Sequence, residues 1–183
     1  SDGAQMPPQD ADLVTKYVRS IDNPLTIEVL PQSEAGELIQ IVGEDVDAVY
    51  LEHLKTVTVN KDVIKKTEDE LKIVFTPLHG TGQMIGEKAL AQAGFKNVLV
   101  VPEQREADAD FSTVKSPNPE EASAFEYAIA LGEKENADIL LATDPDADRL
   151  GAVVKNDKGE YIVLSGNQLG SIMVHYLLQA KKQ

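Results

Sequence analysis

Residues 142–149 read Ala-Thr-Asp-Pro-Asp-Ala-Asp-Arg, placing carboxylates at Asp144, Asp146 and Asp148 directly after an apolar run. Carboxylates spaced this closely repel one another and raise their own pKa values unless a cation offsets the charge. Hard divalent ions accept such oxygen ligands, and magnesium takes a few carboxylates while keeping positions for water or phosphate oxygens. Arg149 adds a forked donor suited to phosphate beside the triad. Together the four residues suggest a metal-assisted phosphoryl site. A solvated acidic turn is the plainer alternative, because Asp and Pro both favour turns, but the strand-end position and triple alternation exceed what a turn requires. A calcium EF-hand loop needs glycine at its sixth position and glutamate at its twelfth; this sequence has Arg149 and Lys155 there. An aspartyl-phosphate phosphatase would need a partner lysine and a second acidic loop, neither of which can be assigned.

Two further loops follow apolar runs. Thr76-Pro77-Leu78-His79-Gly80-Thr81-Gly82 precedes a helical stretch, where glycines let backbone amides approach a phosphate. The glycine spacing through Gly86 is GxGxxxG, a near miss to the dinucleotide fingerprint, with Glu103 placed as a ribose-binding acid would be. His79 is open between an acid, base or ligand role and a structural hydrogen-bonding role in a tight turn. The run Glu103, Arg105, Glu106, Asp108, Asp110 reads as a solvated loop rather than a second metal site. Lys115 is expected to face the same crevice as the triad and so to meet an anionic substrate, whereas Ser116 has no assignable base. His53 and His175 lie on expected helices and read as ordinary packing, and Tyr50 and Tyr176 as core or interface.

These loops need a scaffold. Leu71 to Phe75, Val98 to Val101 and Ile139 to Ala142 are short apolar runs that predict buried strands. Between the first two, Gly82 to Gly94 predicts a helix with a glycine stop. Between the second and third, the spacing predicts a helix over 119–136, with Asn118 as N-cap, Pro119 at its first position and Glu120 and Glu121 in its first turn. Alternation of this kind predicts an α/β fold: a parallel sheet with helices on both faces, a three-layer αβα arrangement. Asn156-Asp157-Lys158-Gly159 closes a terminal hairpin between residues 150–155 and 160–164. Amphipathic stripes through Leu13, Val14, Tyr17, Val18 and Ile21, and through Val46, Val49, Tyr50 and Leu54, predict flanking helices. Leu169, Ile172, Met173, Tyr176 and Leu177 predict a last helix without an evident partner.

Composition narrows the function classes. The 183 residues carry 31 Asp+Glu against 17 Lys+Arg, a formal charge of −14, with 42% hydrophobic residues and no cysteine. Such acidity opposes binding to nucleic acid and to anionic membrane surfaces. Lack of cysteine excludes disulfides and thiol chemistry and suits a cytoplasmic protein. The apolar runs are far shorter than the ~18 residues of a membrane span. The chain opens Ser1-Asp2-Gly3 without methionine, the expectation for an excised segment or a tag remnant.

ATDPDADRLG resembles the metal-binding loop of the α-D-phosphohexomutases, the phosphoglucomutase and phosphomannomutase family. FTPLHGTG and VKSPNPEE are similar to the other strand-end loops of that family's second domain. The DGAQ of residues 2–5 resembles a stretch shortly after its phosphoserine loop, and the GNQ of residues 166–168 the opening of its third domain. The resemblance implies Mg2+ held by Asp144, Asp146, Asp148 and a phosphoserine oxygen, with Arg149 supporting a phosphate. It also implies glucose or mannose phosphates as substrates, interconverted through a bisphosphorylated sugar. The family's Ser-His-Asn-Pro and Gly-Glu-Glu-Ser-Gly runs do not occur in these residues. The expected division is therefore 1–62 as the end of a preceding domain, 63–164 as the metal-binding α/β domain and 165–183 as the first helix of the next. Such a chain is expected to be inactive alone. A dinucleotide-binding domain and a stand-alone divalent-metal-binding module are the alternatives.

Overall fold

A computed structural model describes residues 4–36 and 38–181; Asp2 and Gly3 of the DGAQ stretch lie outside them. The chain divides into two compact units between Val42 and Gly43. The first holds helix α1 (Pro8–Arg19), a 3-10 turn (Pro24–Thr26) capped by Asn23, and the short α2 (Gln32–Ala35). Pro8 starts α1 where its missing N–H costs nothing. The apolar stripe of α1 is exposed, Tyr17 to 67%, and Ala35 is the buried hydrophobic residue described in this unit.

The second unit runs α3 (Glu44–Leu54), α4 (Lys61–Thr67), β1 (Lys72–Thr76), α5 (Gly82–Ala93), β2 (Asn97–Val100), α6 (Pro102–Arg105), a 3-10 turn (Ala122–Phe125), α7 (Glu126–Glu135), β3 (Ile139–Thr143), β4 (Leu150–Lys155), β5 (Tyr161–Val163) and α8 (Gly166–Ala180). The strands form one five-stranded mixed sheet, ordered β2-β1-β3-β4-β5. The first three are parallel, as the alternating pattern predicts, and the expected hairpin extends the same sheet antiparallel.

Alternation along each strand separates two faces. Register aligns Val74 with Leu140, Leu140 with Val153 and Val153 with Val163, forming one row across four strands. That row packs with Ala124, Phe125 and Ala128 from the 3-10 turn and α7, each large side chain contributing roughly 1.5–3 kcal/mol through burial. Phe75 points to the other face, so close under α5 that a Cβ on Gly86 would stand 2.8 Å from its ring. On α5 lies α3, joined by Lys88 to Asp47 at 3.2 Å and by Gln92 Nε2 to the Leu51 carbonyl at 2.6 Å. The sheet is therefore covered on both faces.

Several local expectations change. No helix starts at Pro119. Asn118 Oδ1 accepts the Glu120 N–H at 3.1 Å and the Asn118 carbonyl accepts that of Glu121 at 3.0 Å, so the segment turns. The α-helix begins only at Glu126. The stops hold: Gly94 and Asn136 both end their helices in the left-handed region, at φ 107° and 53°. His53 and His175 are exposed rather than packed, and Tyr176 instead accepts a hydrogen bond from Asn60 Nδ2 at 2.8 Å. Ser165 and Gln168 form a capping box at the start of α8, yet Ile172, Met173 and Leu178 on that helix remain exposed. Among the described residues no helix is long and apolar enough to cross a membrane.

Candidate metal centre

The order β2-β1-β3 makes the chain leave β1 in one direction and later return to β1's other side. Ligand sites in open α/β sheets gather where the order reverses in this way, beyond the carboxyl ends of the strands. The loops after β1 and β3 meet there. Thr81 donates its N–H and its hydroxyl to the Pro145 carbonyl, at 2.8 and 3.1 Å. A Cβ on Gly80 would stand 2.3 Å from Pro145 Cα, and one on Gly82 2.7 Å from Thr143 Oγ1. Both glycines are thus required by close packing against the acidic loop. The GxG spacing has that explanation without a dinucleotide.

The acidic loop itself is folded around its first carboxylate. Asp144 is 1% exposed. Its Oδ1 accepts the Arg149 backbone N–H at 3.0 Å, and its Oδ2 accepts Arg149 Nε at 2.7 Å. The Ala147 N–H donates to the Asp144 carbonyl at 3.0 Å, and Ala147 turns the chain at φ 60°, a conformation uncommon outside glycine. That turn brings oxygens of Asp144, Asp146 and Asp148 within 4.8 Å of one another, the one such group among the described residues. Burial alone would raise the Asp144 carboxyl, but the hydrogen bonds and charge of Arg149 outweigh it and hold the group below its ordinary value. Asp148 shows the opposite shift: the charges of Asp146 and Asp144 push its carboxyl up. The mutual repulsion expected from the spacing is therefore present at Asp148, whose side chain is 73% exposed.

The donor set fits a hard cation. It offers three carboxylates, two of them exposed, and the three aspartates with Arg149 leave two negative charges for a divalent ion to neutralise. Arg149 lies 3.8 Å from Asp148 and also donates through Nη1 to Asn118 Oδ1 at 3.2 Å. Sequence reasoning missed this last contact because it assigned Asn118 to a helix cap.

The other candidates separate from the triad. His79 is buried at φ 63°. Its Nδ1 lies 3.0 Å from the Glu106 carbonyl, which can only accept, so Nδ1 carries the proton. Nε2 then accepts the Thr113 hydroxyl at 2.8 Å, Thr113 accepts Gln104 Nε2 at 3.0 Å, and Gln104 Oε1 accepts the Thr76 hydroxyl at 2.7 Å. This satisfied chain gives His79 the structural role. Gln104 is fully buried, with no signal in the polar run that contains it. Glu103 sits exposed on α6, and Arg105 reaches back to Glu87 on α5 at 3.0 Å. Asp108 accepts the Ser112 and Asp110 N–H groups at 2.9 and 3.0 Å, which hold its carboxyl below the ordinary range. Lys115 is exposed and lines a depression with Ser112, Ser123 and Glu126. Ser116 donates to Glu121 Oε1 at 3.1 Å.

Residues 48–159 match phosphoglucomutase/phosphomannomutase, alpha/beta/alpha domain II. The chain belongs to this family. The phosphoglucomutase/phosphomannomutase match takes in the triad, Arg149, and the loops that pack on them. Over all 183 residues the chain is 34% identical to phosphoglucomutase of Staphylococcus aureus strain MRSA252, and equally to that of strain USA300. It spans 32% of the length of either relative. A solved phosphoglucomutase/phosphomannomutase family protein from Burkholderia thailandensis aligns with 64% of this chain and 23% of its own, at 23% identity and a TM-score of 0.47.

Proposed function

We propose that this chain is the metal-binding central part of a phosphohexomutase, in which hexose 1-phosphate and hexose 6-phosphate interconvert through a phosphoserine and a bisphosphorylated sugar. The observation that carries this reading is the cluster of three aspartate oxygens within 4.8 Å at the end of β3, inside the span that matches the family's domain II. Mg2+ is the proposed ion, with Asp144, Asp146 and Asp148 as ligands. When bound it would offset phosphate charge and polarise a phosphoryl oxygen. Arg149 fixes the buried Asp144, and the guanidinium donors not given to Asp144 and Asn118 are free to meet a phosphate. Positioning and charge neutralisation of this kind are what phosphoryl transfer needs from a protein. Residues 1–62 are read as the end of a preceding, phosphoserine-bearing domain, 63–164 as the metal-binding domain and 165–183 as the opening helix of the next. Glucose or mannose phosphates are the proposed substrates of the whole protein, and the present chain alone is proposed to be inactive.

Thermal melting with increasing Mg2+ tests the site. Stabilisation follows RT ln(1 + [L]/Kd), about 1.4 kcal/mol at ten times Kd, a rise of roughly 3–5 °C for a domain of this size. We expect the rise only at millimolar Mg2+ and none in Asp146→Asn. An unchanged response in that variant overturns the metal assignment, and turnover of glucose 1-phosphate by the pure chain overturns its inactivity.

A further inference from the structure

The Arg149 guanidinium is held at two points: Nε on Asp144 Oδ2 at 2.7 Å and Nη1 on Asn118 Oδ1 at 3.2 Å. Two anchors fix the plane of a rigid fork, whereas one leaves it free to pivot. The pivot matters because Asp148 Oδ1 lies only 3.8 Å from Nε. A guanidinium released from Asn118 can turn onto Asp148, pair with it and occupy the carboxylate that a cation would use.

Asn118 is itself well placed to hold that anchor. Its Oδ1 accepts both Arg149 Nη1 and the Glu120 N–H, while its Nδ2 donates to Glu121 Oε1 at 3.4 Å. This pattern fixes which end of the amide faces Arg149, since a flip would set donors against donors. The next residue, Pro119, is fully buried against β4 at Gly151, where a Cβ would stand 2.2 Å from the Pro119 carbonyl oxygen. Gly151 therefore admits the segment that carries Asn118 to Arg149, two residues earlier on β4's side of the loop. Asn118 reaches the acidic loop from a different strand connection, so it supplies an external reference for the guanidinium.

We propose that Asn118 is a positioning residue, holding Arg149 on Asp144 and off Asp148 so that the outer carboxylates stay open to a divalent cation. The proposal rests on the metal reading above for its consequence, but its geometric part stands without metal. Two measurements separate them. In the metal-free chain, the Arg149 Nε–H resonance in nitrogen-15 NMR should shift and exchange faster with water in Asn118→Ala, and stay near its original position in Asn118→Asp, which keeps the acceptor. An Asn118→Ala spectrum unchanged at that resonance overturns the proposal. In Mn2+ titrations followed by electron paramagnetic resonance, Asn118→Ala should bind about tenfold more weakly, the lower end of what outer-shell partners typically contribute. Arg149→Lys keeps the charge and loses the fork; in that background Asn118→Ala should change affinity less than twofold, because the two residues act as a unit. Equal Mn2+ affinity in wild type and Asn118→Ala, or independent multiplying effects of the two substitutions, overturns the proposal. Absence of Mn2+ uptake by the wild-type chain instead removes the metal reading and leaves the NMR result to decide the positioning role.

Discussion

Replacing Gly80 with alanine tests whether the first loop supports the acidic loop by direct backbone packing. The new Cβ would stand 2.3, 2.5 and 2.7 Å from Pro145 Cα, O and C, all backbone atoms that no rotamer change can move aside. Contacts below 3 Å must open by about 1 Å, carrying Pro145 away from Thr81 and stretching its hydrogen bonds of 2.8 and 3.1 Å. Overpacking costs roughly 1–3 kcal/mol and each of the two weakened hydrogen bonds about 1 kcal/mol, giving a loss of roughly 3–5 kcal/mol. At about 2–4 °C per kcal/mol for a chain of this length, melting should fall by on the order of 6–20 °C. Pro145 lies between Asp144 and Asp146, so the Mg2+ response should weaken in the same variant. Gly170→Ala is the control: its Cβ meets nothing within 4 Å in α8, and alanine inside a helix should stabilise by ~0.5–1 kcal/mol. Differential scanning calorimetry of wild type and both variants, with and without Mg2+, reads these changes. Wild-type melting together with a wild-type Mg2+ response in Gly80→Ala would refute the packing role of this glycine.

Other perturbations probe the rest of the centre. Gln104→Ala should destabilise by roughly 2–4 kcal/mol in urea unfolding, because it removes a partner from both Thr76 and Thr113 in buried surroundings. Asp144 has a depressed folded pKa, so its contribution is complete above the ordinary aspartate range near 4 and is lost as pH falls through the lower folded value. Asp144→Asn should accordingly melt lower at pH 7 and show a shallower acid decline than wild type. The Asp148 carboxyl is raised, so protons compete with a cation there; Mn2+ affinity should climb as pH rises through that group's titration, and Asp148→Asn should flatten the climb.

Legibility in the sequence followed the range of the interaction. Strands and the hairpin were readable because apolar runs and a turn cluster are local signals, and register then placed Val74, Leu140 and Val153 in one row. The triad was readable for the same reason, since alternation after a buried strand lies within five residues. Asn118 shows where local reading stops. Asn-Pro-Glu-Glu satisfies every cue for a helix start, and Asn118 Oδ1 does accept the Glu120 N–H as a cap would, but the same oxygen also takes a guanidinium 31 residues away, a contact that no local pattern announces. The segment nevertheless forms a turn and a 3-10 segment before α7. Gln104 was hidden differently: burial of one polar side chain among exposed acids depends on Thr76 and Thr113 arriving from elsewhere.

The division of labour within the triad follows from burial. A cation site needs a ligand that does not move and others that can adjust to the ion. Asp144 meets the first need, because both its oxygens are fixed by Arg149 within a turn closed by Ala147. Asp146 and Asp148 meet the second, being exposed, with the Asp148 carboxyl repelled by the charges of its two neighbours. Exchanging the order of these environments would fail physically: a buried Asp148 without Arg149 would protonate, and an exposed Asp144 would surrender the turn that gathers the other two. Arginine beside three aspartates therefore does more than lower the charge. It selects which carboxylate is anchored, and the glycines of the neighbouring loop let the acidic loop lie close against the segment that follows β1.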